Sequence, residues 1–66
     1  MKIHVNGEPR EITRATNILE LLEELQLRPH ALLIEHNSMA LRREEWNASA
    51  LREGDRIEIV KIVAGG

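Results

Sequence analysis

Apolar and polar positions alternate from the start of the chain, with Ile3 and Val5 on one side and Lys2 and His4 on the other, the period of a strand buried on one face. Asn6-Gly7 follows at once, a dipeptide suited to a tight hairpin because both residues tolerate the positive φ angles that such a turn needs. A second strand is predicted from about Glu8 to Thr13, with Ile12 inward. Pro9 confines this strand to an edge, since proline donates no ladder hydrogen bond. The period then changes. Ile18, Leu21, Leu22 and Leu25 share one helical face, and Glu20, Glu23 and Glu24 lie off that stripe, toward water. Thr16 or Asn17 supplies the N-cap, Asn17 and Glu20 have capping-box spacing, and the early glutamates suit the positive end of the helix dipole. Pro29 disfavours helical backbone at Arg28 and is expected to close the helix.

Ala31 to Glu35 is an apolar run of strand length, in which Leu32 and Ile34 point one way and Leu33 the other. Asn37-Ser38 offers the next turn, Met39 to Leu41 a short strand, Arg43 to Trp46 a single helical turn, and Glu53-Gly54-Asp55 a tight turn. Arg56 to Val63 reads as the last strand, with Ile57 and Ile59 inward and Glu58 and Val60 outward. The helix must cover one face of the sheet. A right-handed crossover would set the strand after the helix parallel to the first strand, beside or near it, and the final strand can take a central place. The order predicts an α+β chain of the β-grasp (ubiquitin-like) arrangement, a mixed sheet of four to five strands with one main helix. Residues 1–63 form the domain, and residues 64–66 a flexible tail with almost no side chain to pack.

Composition narrows the chemistry. Sixty-six residues suffice for one small core, and without Phe, Tyr or Cys that core is built from Ile, Leu and Val. The lack of cysteine excludes thiolate chemistry, disulfides and Cys-based zinc sites on this chain. A net charge of −2, with Arg42-Arg43 as the only adjacent basic pair, leaves no stripe to track phosphates, so nucleic acid is not an expected partner. No apolar run reaches the roughly 20 residues that span a bilayer, and no signal segment opens the chain. The expectation is a cytoplasmic protein without a membrane partner, monomeric when free.

His4, His30 and His36 are scattered, with no carboxylate or hydroxyl at a recognisable catalytic spacing, so neither a catalytic set nor a metal site is predicted. Ser38 and Ser49 read as turn residues. Trp46, the sole aromatic residue, is expected to cover one end of the core with its N–H on a backbone acceptor. Leu33, Val60 and Ile62 fall away from the helix-covered face, where they either pack at an edge or form an apolar docking patch.

The chain ends Val63-Ala64-Gly65-Gly66. A terminal Gly-Gly arises by chance in roughly 0.5% of chains, given a background glycine frequency of about 7%, so chance explains it poorly. A tail that threads into another protein's active site benefits from lacking Cβ atoms, and its carboxylate is then the only reactive group. That carboxylate is ionised at neutral pH and can attack the α-phosphate of ATP held by a partner, giving an acyl adenylate open to a sulfur donor.

Arg43-Glu44-Glu45-Trp46, then Leu51-x-Glu53-Gly54-Asp55-x-Ile57-x-Ile59-Val60, then Val63-Ala64-Gly65-Gly66 resemble the second half of the thiamine-biosynthesis sulfur carriers called ThiS. Asn6-Gly7, the Ile18-Leu19-Glu20-Leu21-Leu22 helix and the strand ending Ile34-Glu35-His36-Asn37 extend the resemblance over nearly the whole chain. Two departures lie in a surface connection: Arg42, where that family frequently has Pro, and Ser38, where Gly often follows the Asn. The resemblance implies a protein co-substrate and not an enzyme. An E1-like adenylyltransferase would activate Gly66, with Gly65 and Ala64 giving access. A cysteine desulfurase or other persulfide donor would supply sulfur, and thiazole synthase would receive it from the thiocarboxylate. ATP belongs to the adenylating partner, and no cofactor is expected on this chain, which has no phosphate-cradling loop. The small subunit of molybdopterin synthase, another ubiquitin-like carrier or a protein modifier share the same end chemistry and stand as alternatives, as does a binding module whose glycines are incidental.

Overall fold

The computed structural model describes residues 1–62. β1 (Lys2–Val5) and β2 (Glu8–Glu11) form the expected antiparallel hairpin, with Val5 opposite Glu8. Asn6 and Gly7 take φ angles of 51° and 82°, the left-handed pair that lets a two-residue turn follow the twist of its strands. β2 stops at Glu11, short of the predicted Thr13. Ile12 still donates to the Met1 carbonyl at 2.7 Å and buries its side chain, but the next three N–H groups turn to the carboxylate of Glu24 instead.

α1 (Ile18–Glu24) buries Ile18, Leu21 and Leu22, the stripe that the spacing predicts. Asn17 is the N-cap: its Oδ1 accepts from the Glu20 N–H at 2.8 Å. The reciprocal half of the cap falls one residue earlier, on Thr16, whose N–H and hydroxyl both donate to Glu20 Oε1. Pro29 does not end this helix. It ends four residues earlier, at Leu25, because Gln26 enters the left-handed region at φ 61°. The Leu27 N–H then donates to the Leu22 carbonyl and the Gln26 N–H to that of Glu23, the paired bonds that satisfy the last turn of a helix without glycine.

β3 (Leu32–His36) and β4 (Met39–Leu41) form a second tight hairpin, with Asn37 and Ser38 at φ 51° and 72°. A 3-10 helix follows over Arg43–Ala48, longer than the predicted turn to Trp46, and β5 covers Arg56–Lys61. The sheet order is β2-β1-β5-β3-β4, with β5 central, parallel to β1 and antiparallel to β3. β3 lies near β1 with β5 between them, and it runs antiparallel to β1, contrary to the expectation. The reason is the first hairpin: it reverses the chain before α1, so the strand parallel to β3 across the helical connection is β2.

Ile3, Val5, Ile12, Ile18, Leu21, Leu22, Ile34, Trp46, Leu51 and Ile57 close the core between α1 and the sheet, with Leu25, Leu32 and Ile59 packed at its margin. Trp46 is buried, but among the described residues its Nε1–H meets no acceptor. The expected backbone partner is therefore not found; the ring enters the core from the 3-10 helix, with the Arg43 guanidinium 5.5 Å from its centroid. The domain boundary predicted at residue 63, the tail 64–66 and the last residue of the predicted final strand lie outside the described residues.

Candidate functional site

The sheet face opposite α1 carries the apolar pair that the alternation predicts. Leu33 and Val60 stand directly across the β3–β5 ladder from one another, and each is 56% exposed. They alternate with Ile34 and Ile59, whose side chains turn to the core, so the exposure follows from the strand period. Two residues along, Glu35 faces Glu58 across the same ladder, and both are exposed. The open face therefore presents a small apolar patch beside a pair of like charges, an arrangement that adds little to the stability of the fold.

Ile62 is exposed as well, at 47%, but it does not sit squarely with Leu33 and Val60. It follows the end of β5, donates its N–H to the Ala31 carbonyl at 2.7 Å, and lines a groove with Leu32 and Ile59 on the helix side. From Ile62 the sequence passes to Val63 and then to Ala64, Gly65 and Gly66, which lie outside the described residues.

The histidines divide differently from the sequence reading. His4 lies half-buried in β1, His30 lies exposed in the connection after α1, and His36, at the end of β3, has both of the groups found missing from its neighbourhood in the chain. Its Nδ1 lies 2.9 Å from Ser49 Oγ and its Nε2 lies 2.6 Å from Asp55 Oδ2. Asp55 is buried and also accepts from Asn37 Nδ2 and the Arg52 N–H. Burial pushes its carboxyl pKa upward, but the bonds from Asn37, His36 and Arg52, with the nearby His36 charge, outweigh this and hold it below the ordinary value. Both ring nitrogens of His36 are thus occupied within the fold, where they join β3, the end of the 3-10 helix and the start of β5. No cluster of three His, Asp or Glu side chains able to hold a metal occurs among the described residues.

Sequence reasoning also missed how the turn asparagines reach β5. Asn6 Oδ1 accepts from the Ile59 N–H at 2.7 Å while its Nδ2 donates to the Ile59 carbonyl, and Asn37 Oδ1 accepts from the Arg56 N–H at 2.8 Å. Each hairpin is thereby tied to the strand that leads to the chain's end. The available signal was asparagine, in place of aspartate or glycine, at the first left-handed position of both turns. Glu24, expected only to face water, accepts from the N–H groups of Thr13, Ala15 and Arg14, which together lower its pKa to about 2.

This geometry is shared with known proteins. The ThiS family model matches residues 3–66. The crystal structure of the thiamine biosynthesis protein ThiS from Geobacter metallireducens superimposes with a TM-score of 0.85 at 32% identity, with all of both chains covered. The sulfur carrier protein ThiS of Escherichia coli K12 is 29% identical over the full length of both chains. A thiazole synthase of Magnetococcus marinus is 38% identical over 66 residues, which are all of this chain and 20% of that protein. The chain thus spans about a fifth of that relative's length. No helix among the described residues is long and apolar enough to cross a membrane. The β-grasp sheet with one main helix, matched along the whole chain in both sequence and structure, makes this chain a member of the ThiS family, the sulfur carriers of thiamine biosynthesis.

Proposed function

We propose that this chain carries sulfur as a thiocarboxylate on Gly66. An E1-like enzyme joins the Gly66 carboxylate to the α-phosphate of ATP and releases pyrophosphate. A persulfide sulfur, drawn from cysteine by a desulfurase, then displaces AMP. Reductive cleavage of the resulting acyl disulfide by a thiol leaves the thiocarboxylate, which thiazole synthase consumes. The observation that carries this reading is the continuity between a docking face and a reactive end: Leu33 and Val60 are exposed in register on the open face, and β5, which holds Val60, leads within a few residues to Gly65-Gly66. Ile62, two residues beyond Val60 in sequence, is exposed at the edge of the helix-side groove and is not part of this face. Among the described residues, the one histidine that meets both a hydroxyl and a carboxylate, His36, has its two ring nitrogens engaged by Ser49 and Asp55 within the fold. That a Magnetococcus marinus thiazole synthase contains a stretch similar to this whole chain supports thiazole synthase as the acceptor.

Intact-mass spectrometry after incubation with an adenylating enzyme, ATP and a persulfide donor tests the reading. Replacement of one oxygen by sulfur at Gly66 is the expected result. Gly65→Ala adds a methyl group and narrows the accessible backbone angles, so folding should persist while adenylation slows. A chain extended past Gly66 should acquire no sulfur. Sulfur on an internal residue, or activation of the extended form without trimming, sinks the proposal.

A further inference from the structure

A groove of about 930 Å³ opens on the helix side of the sheet, between the first hairpin, the segment after α1 and the end of β5. Its apolar wall includes Leu27, Leu32 and Ile59, and Leu27 is 39% exposed. Arg10 from β2, Arg28 from the segment after α1 and Lys61 from β5 converge on the same groove, and no Asp or Glu lines it. None of these three cations takes part in an ion pair or a side-chain hydrogen bond among the described residues. The chain as a whole is acidic, at −2, so a groove lined by three cations and no carboxylate runs against the overall balance.

We propose that this groove docks an acidic, leucine-bearing segment of a partner protein, separately from the Leu33–Val60 face. The apolar wall calls for apolar side chains, because water gains nothing by remaining there. The cations at its border call for carboxylates, which would set the orientation of the segment and speed its encounter. A small anion such as phosphate would answer the cations and leave the apolar wall wet. An anionic bilayer has both chemistries, but its surface is flat and cannot enter a concave groove. Leu32 and Ile59 lie on the sheet face opposite to Leu33 and Val60, so the two surfaces can be occupied together.

The test uses the ¹⁵N-labelled full chain at low salt and a short synthetic peptide of glutamate and leucine. Saturable shifts at the amides of Asn6, Leu32, Ile59 and Lys61 are expected. Affinity should fall about tenfold in the Arg28→Glu, Lys61→Glu double variant, as two exposed charge pairs are lost, and should not change in Leu33→Asp. Equal binding of the glutamine counterpart would make the charges irrelevant and overturn the proposal. Equal shifts from pyrophosphate or oligoglutamate would reduce the groove to an anion site, and preferential binding to phosphatidylglycerol vesicles would make it a membrane contact. Groove shifts that follow protein concentration alone would identify a second copy as the occupant. Shifts of the same amides on deletion of residues 63–66 would identify the chain's own end, and either result also refutes a partner segment.

Discussion

Asp55 Oδ2 lies 2.6 Å from Nε2 of His36, which joins the end of β3 to the turn before β5 across 19 residues of sequence. The same carboxylate holds Asn37 and the Arg52 N–H. Asp55→Asn keeps the shape but presents an amide N–H₂ to one of these donors, so it should cost about 1–3 kcal/mol of stability at neutral pH. The sign of its pH dependence follows from the depressed carboxyl pKa. The stabilisation is complete above the unfolded value of about 3.9 and is lost as pH falls through the lower folded value. Urea unfolding of both proteins from pH 6 to pH 2 measures this, and a stability gap that stays constant across the range would refute it.

Glu24 clamps the segment between β2 and α1 through the N–H groups of Thr13, Arg14 and Ala15. Its pKa of about 2 lies below the unfolded value of about 4.3. The clamp therefore stabilises fully above about pH 4.3 and weakens as pH falls toward 2. Glu24→Gln should unfold more easily than the wild type at pH 6 and match it near pH 2. Amide exchange at residues 13–15 should speed up in the variant at neutral pH, and unchanged exchange there would count against the clamp.

Ser38 holds φ at 72°, where a side chain is crowded by its own backbone. Ser38→Gly removes that strain at the cost of greater freedom in the unfolded chain, so a net gain of about 0.5–1 kcal/mol is expected. Thermal unfolding measures it. A variant less stable than the wild type would mean that the serine makes a compensating contact.

Leu33 and Val60 are exposed in the free chain, so Leu33→Asp and Val60→Asp should leave its thermal midpoint nearly unchanged. Each should weaken binding to the adenylating enzyme by about 2 kcal/mol or more, because a buried charge without a partner is costly at the centre of an interface. Calorimetric titration of both variants decides the matter, and wild-type affinity in both would remove this face as the docking surface.

Much of the fold was legible along the chain because period is a local property. Ile3 and Val5, then Ile18, Leu21 and Leu22, then Ile34 and Ile57 mark their buried sides by spacing alone, and all seven are in the core. The Asn6-Gly7 and Asn37-Ser38 turns were readable for the same reason. Leu33 and Val60 were marked as outward by the same period, and the terminal Gly65-Gly66 needed no fold to be seen. What the tertiary structure alone decided is which distant residues meet. Strand order and register brought Leu33 across from Val60, His36 against Ser49 and Asp55, and Arg10, Arg28 and Lys61 to one groove. The helix end passed from Pro29 to Gln26 through backbone bonds back to Leu22 and Glu23, and Glu24 turned from water to the loop before α1. These contacts depend on how the helix packs and how the sheet is ordered, which no spacing between neighbouring residues encodes, because the free energy that selects them comes from burying the core as a whole.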